Sequence, residues 1–140
     1  MSGFERVIEI MEKHVVFNRH LGLRIPRMER GFVRMQLPFQ EQFVGDETTR
    51  ALHGGLVCAI VDACGGAAAW SCVAEDERVS TLDLRVDYLH PAPPEDLVAE
   101  ATVTRESREV ILSDVRVFAA SDPERTVAAG RGVFKVRRLP

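Results

Sequence analysis

Apolar positions recur with a helical period in the N-terminal stretch of this chain and with a two-residue period in several later ones. Phe4, Val7, Ile8, Met11 and Val15 stand three and four apart with glutamates between them, which predicts an amphipathic helix over about 3–18. After HLGLRI and Pro26, the run FVRMQLPF alternates Val33, Met35 and Leu37 with Phe32, Arg34 and Gln36. It predicts a hairpin following Gly31 whose second strand ends at Pro38. QEQFVGDETTRA shows no period and is rich in turn formers, so a loop is expected there.

The stretch LHGGLVCAIVDACGGAAAWSC then breaks the pattern. Between His53 and Glu75 the only Asp, Glu, Lys or Arg is Asp62, although charged residues make up 28% of the chain. A helix over about 54–73, apolar on all sides, is expected, and it needs covering by a sheet and by something more. A lone carboxylate in such a helix is costly to bury and calls for an explanation. Gly54 and Gly55 suit the start of this helix, where backbone approaches another group closely.

Beyond AEDER the period returns to two. STLDLRVDYL alternates Leu82, Leu84, Val86 and Tyr88 against Asp83, Arg85 and Asp87, which places Thr81 on the Asp83 side. HPAPPED is a proline turn, and LVAEATVTR, VILSDVRVFAA and VAAGRGVFKVRR are three more strands. Gly130 and Gly132 share a face of the last one and predict a bulge or close packing. Strands joined by short turns imply an antiparallel sheet curved around the buried helix, an α+β class. Such a sheet leaves an edge that dimerisation would cover.

Composition narrows the picture. With 140 residues the chain fits a single domain, 1–140, and its 46% apolar content with a net charge of -3 offers no basic field for nucleic acid. The N-terminal stretch carries three glutamates and does not read as a secretory signal, while Asp62 argues against a membrane span, so a cytoplasmic address is expected. Cys58, Cys64 and Cys72 match no zinc spacing and are expected to be reduced core thiols. His14 and His20 fall near a helix end and read as solvated surface.

HGG at 53–55, Asp62 nine residues after the histidine, and VSTLDLRVDYLHPA at 79–92 together resemble the hotdog-fold thioesterases, specifically the phenylacetic-acid-degradation-type acyl-CoA thioesterase group. The resemblance runs from about residue 15 to the end. It implies a curved antiparallel sheet around one long helix, hydrolysis of an acyl- or aryl-CoA thioester, and active sites at a homodimer interface, with pairs of dimers forming a homotetramer. No metal and no cofactor beyond the CoA of the substrate is implied.

Residue by residue, the resemblance makes Gly54 the backbone N–H donor to the thioester oxygen, a role that a helix N-terminus supports. It gives His53 the shaping of the helix start, with Gly55 beside it at the substrate. Asp62 takes the place of the catalytic carboxylate, able to attack the carbonyl or to take a proton from water. Thr81 matches a hydroxyl that holds the acid or the water, with Ser80 as its alternative should the register slip. Relatives with an asparagine six or seven residues before the histidine contrast with Glu47 and Asp46 here, and Asp46 is the better match. His90, Arg131, Lys135, Arg137 and Arg138 are candidates for the CoA phosphates.

Gly54 and Asp62 are eight residues apart, ~12 Å along a helix axis. The amide and the acid that act on one thioester are therefore expected from different subunits. Two other functions compete: a hydratase or dehydratase using His53 with Asp62, and a non-catalytic acyl-CoA-binding module if Asp46 disables the water site.

Overall fold

The computed structural model describes residues 3–138. Two short helices come first, α1 over Gly3–Glu9 and α2 over Val16–Leu21, with a π-helical turn at Ile10–His14 between them. The unbroken helix expected over 3–18 is thus interrupted. Val15 leaves the helical region (φ -80°, ψ 103°), and its N–H reaches back to the Ile10 carbonyl at 2.9 Å. Adjacent β-branched valines at 15 and 16 weaken a helix there. The break releases the Met11 carbonyl, which accepts a hydrogen bond from Nδ2 of the buried Asn18 at 3.1 Å. Glu12 ties the turn to the sheet by accepting the Ile25 N–H at 2.7 Å.

Strands β1 (Arg24–Glu29) and β2 (Phe32–Leu37) form the first hairpin. Pro26 lies in β1, an edge strand, where a missing N–H need not cost a ladder bond. Helix α3 spans Gly54–Trp70 and stops short of the expected 73, because the Ser71 hydroxyl closes it. That hydroxyl donates to the Ala68 carbonyl at 2.6 Å and accepts the Gly31 N–H at 2.7 Å. Strands β3 (Glu77–Tyr88), β4 (Leu97–Glu106), β5 (Val110–Ala119) and β6 (Thr126–Arg138) follow. The sheet is antiparallel in the order β1-β2-β4-β5-β6-β3, and α3 packs across β2 through β6. This is the α+β hotdog arrangement expected from the sequence.

Glycine lets the helix and sheet approach closely. A Cβ on Gly130 would stand 2.6 Å from Val61 Cγ1 and 2.9 Å from the Arg85 carbonyl oxygen, so no bulge explains this glycine; close packing does. Leu56, Val57, Ile60, Val61, Cys64, Ala67 and Ala68 are buried against the sheet. The helix is not sealed on every side, however. Cys58, Ala59, Asp62, Ala63, Gly66 and Trp70 form a half-buried stripe at helical spacing. Asp62 lies in that stripe, so the expected cost of a fully buried carboxylate does not arise. All three cysteines are free, and burial pushes the Cys64 thiol far above its ordinary pKa.

The phase of β3 also departs from expectation. Its pairing with β6 shifts between Thr81 and Asp83, leaving Leu82 as the extra residue of a bulge, 57% exposed. Before the bulge Thr81 pairs with the inward Phe134; after it, Leu84 and Val86 pair with Gly132 and Gly130 and pack on the core. Thr81 therefore faces α3, opposite to the face that unbroken alternation assigned. No helix among the described residues is long and apolar enough to cross a membrane.

Gly130→Ala is expected to destabilise the fold by about 1–3 kcal/mol through overpacking. Urea unfolding checks it: an unchanged midpoint would mean that Val61 and β3 can move apart freely.

Candidate active site

The start of α3 is assembled from four directions. The Leu52 N–H donates to the Ala92 carbonyl and the His53 N–H to the Phe43 carbonyl, both at 2.9 Å. Gly45 lies flat against this point, since a Cβ there would meet the His53 Cα at 2.9 Å. His53 is the N-cap: its Nδ1 accepts the Gly55 N–H at 2.8 Å, and its carbonyl accepts the Leu56 N–H at 3.0 Å. Two of the first three helix amides are thereby satisfied. The remaining one, the Gly54 N–H, has no partner among the described residues, and it carries the positive end of the helix dipole.

Tyr88 completes this end. Its phenol donates to the Gly54 carbonyl at 2.7 Å, fixing the peptide beside the free amide. Burial, with the Cys58 thiol nearby, pushes the phenol above its ordinary pKa, so it stays a donor at neutral pH. Gly54, Tyr88 and His90 line one cavity of about 250 Å³.

Two turns along α3, Asp62 accepts a hydrogen bond from the Thr81 hydroxyl at 2.7 Å. The Leu82 bulge aims that hydroxyl, while the small neighbours Ala59, Ala63 and Gly66 leave the carboxylate open to a cleft of about 280 Å³. Met11, Val15, Phe17 and Asn18 of the N-terminal segment also line it, as do Trp70 and Phe134. A carboxylate fixed through one oxygen, with apolar surroundings and access from outside, can act as a nucleophile or as a base.

Of the residues expected from the sequence, the structure brings together Asp62 with Thr81, and His53 with Gly54, Gly55 and His90's cavity. Gly54 and His90 line one cavity of the chain, and Asp62 and Thr81 line another. Asp46 lies outside both: its carboxylate accepts the Thr48 N–H and the Thr49 hydroxyl, each at 2.9 Å. Those bonds, the Thr48 N–H foremost, hold it below the usual carboxylate range. Glu47 is exposed in the same loop. The Ser80 hydroxyl accepts from Arg137 at 3.4 Å, and His90 Nδ1 stands 3.2 Å from an Arg125 nitrogen. Arg131 pairs with Asp114 and Arg138 with Glu77. Sequence reasoning missed Tyr88 and Asn18, whose roles come from contacts 34 and 7 residues away. No group of His, Cys, Asp and Glu among the described residues could hold a metal ion.

A family model described as the thioesterase superfamily matches residues 50–126, which spans both the α3 start and Asp62. The chain belongs to the thioesterase superfamily. It is 30% identical to the medium/long-chain acyl-CoA thioesterase YigI of Escherichia coli (strain K12), over 96% of this chain and 94% of that protein. Among solved structures it resembles a thioesterase family protein from Silicibacter pomeroyi, with a TM-score of 0.88 and 24% identity over 97% of this chain and 99% of that one. It also resembles the thioesterase HI1161 from Haemophilus influenzae, with a TM-score of 0.82 and 20% identity over 99% and 93%. As a thioesterase superfamily enzyme the chain is a thioester hydrolase, so the free amide and the held carboxylate are to be read against a thioester carbonyl.

Gly54→Pro isolates the amide. Proline is accommodated at the first helical position, the preceding His53 is already extended (φ -62°, ψ 133°), and a Cβ at Gly54 would make only ordinary contact with Tyr88. The variant is expected to keep its fold by circular dichroism and to lose about 100-fold or more in thioester turnover. Full turnover in a folded variant would remove the amide from the mechanism.

Proposed function

We propose that this protein hydrolyses acyl-CoA thioesters to the free acid and CoA, working as a homodimer in which each α3 serves two sites. The observation that carries this reading is the pairing, on one helix, of an unpartnered Gly54 N–H at its start with a Thr81-held Asp62 eight residues on. The two lie ~12 Å apart along the axis, too far for one carbonyl. The oxyanion donor for one thioester then comes from one subunit and the carboxylate from the other.

Edge strand β3 supports the pairing. It is twelve residues long, carries Thr81 and Tyr88, and ends beside an exposed apolar cluster in which Tyr88 is 54% and Leu89 52% exposed. An open edge of that length invites a second copy. Joining two β3 strands would bring the start of one α3 toward Asp62 of the other, and two such dimers would make the tetramer.

In this site the thioester oxygen is bound by the Gly54 N–H as negative charge develops on it. Asp62 either attacks the carbonyl carbon, expelling the CoA thiolate and leaving an anhydride for water to hydrolyse, or takes a proton from the water that attacks. Thr81 holds the carboxylate in both routes. No further cofactor enters the balance. The apolar walls formed by Met11, Val15, Ala63, Trp70 and Phe134 suit an aliphatic chain, and YigI is a medium/long-chain acyl-CoA thioesterase. The phenylacetic-acid-degradation group remains our reading of the subgroup.

Thiol release from a panel of acyl- and aryl-CoA esters tests the proposal. Release is expected with medium and long acyl chains, and Asp62→Asn is expected to lower kcat by about 100-fold or more with the fold retained. Hydration of crotonyl-CoA without thiol release would establish the hydratase instead, and tight binding without turnover would establish a binding module.

A further inference from the structure

A second, largely apolar cavity, of about 320 Å³, lies against α1, lined by Phe4, Val7, Ile10, Trp70, Val73 and Ala74, with Arg6, Glu75 and Arg78 as its charged members. Trp70 also borders the cleft that holds Asp62. The π-helical turn serves both spaces, since Ile10 faces the outer cavity and its neighbour Met11 the inner cleft. The indole is braced from the outer side: the Arg78 guanidinium stacks over it at 4.9 Å and is itself anchored on the Glu75 and Glu77 carbonyls at 3.2 and 2.9 Å.

We infer that the cavity against α1 is a second acyl subsite, which receives the tail of long fatty acyl chains, and that Trp70 is the residue dividing the two subsites and setting chain length. The inference rests on Asp62 marking the position of the thioester. Trp70 is eight residues beyond Asp62, ~12 Å along the helix axis. Carbon–carbon bonds of about 1.5 Å advance an extended zigzag chain by only about 1.3 Å each, so an acyl chain needs roughly ten carbons to reach it. Octanoyl chains therefore end in the inner cleft. Hexadecanoyl chains have to displace the indole from its guanidinium stack and extend into the outer cavity, where Phe4, Val7 and Ile10 remove the tail from water. Each methylene buried there is worth roughly fourfold in kcat/KM.

Trp70 is the single tryptophan of the chain, so its emission reports this position alone. Wild-type protein is titrated with octadecanoic acid brominated at the second carbon and with the same acid brominated near the middle of the chain. Stronger quenching by the mid-chain bromines is expected; equal quenching, or none, would overturn the tail path. In turnover, Trp70→Ala is expected to raise the hexadecanoyl-to-octanoyl ratio of kcat/KM at least tenfold, and Val7→Phe, which narrows only the outer cavity, to lower it. A ratio within twofold of wild type in both folded variants would overturn the inference. Absence of thiol release from every ester would instead defeat the thioesterase reading, and the quenching experiment would still decide whether the tail passes Trp70.

Discussion

The candidate site depends on α3 lying tightly on the sheet along one face while its opposite stripe stays open. Gly130 on β6 and Gly65 on α3 remove the side chains that would hold the two layers apart; a Cβ on Gly65 would crowd Phe134 and Val115 at 3.2 Å. Val57, Ile60, Val61 and Cys64 can then be buried almost completely, as close packing of an interior requires. The other stripe carries Ala59, Asp62, Ala63 and Gly66, too small to close over the carboxylate. The same glycine- and alanine-rich composition thus provides both the core contact and the cleft.

Strand β3 couples the start of that helix to its middle. Tyr88 fixes the peptide at the start of α3 and Thr81 fixes Asp62, so one edge strand holds both chemical groups in place. The Leu82 bulge makes this possible, because without the extra residue Thr81 and Tyr88 would point to opposite faces of the sheet. A partner docked along this edge would act on both anchored points at once. In the proposed dimer, association would in this sense help to set the site, beyond supplying a second set of residues.

What the sequence made legible was local. The unbroken apolar run that reads as a helix over about 54–73, the alternation of the later strands and the HGG-to-Asp62 spacing are each written in neighbouring residues, and the antiparallel sheet around one helix follows from them. The bulge was hidden because Leu82, Leu84 and Val86 continue an unbroken apolar alternation, with nothing to mark the first of them as the extra residue. The break at Val15 was hidden because Phe4, Val7, Ile8, Met11 and Val15 fit one helix face whether or not the helix is continuous. The Tyr88 contact spans 34 residues and needs the tertiary fold. Asp46 was a missed local signal: an Asp with threonines two and three residues on is the composition of a self-bonded turn, and its carboxylate is used in that way.

The composite site is the central claim, and mixed dimers test it most directly. Subunits carrying Asp62→Asn and subunits carrying Gly54→Pro, each expected to be nearly inactive alone, are co-expressed with different tags and the heterodimer is isolated. If each α3 gives its amide to one site and its acid to the other, the heterodimer holds one site with both groups intact and is expected to recover about half of the wild-type turnover. If amide and acid of the same subunit act together, every site in the heterodimer lacks one of them, and turnover no higher than that of either parent would contradict the account.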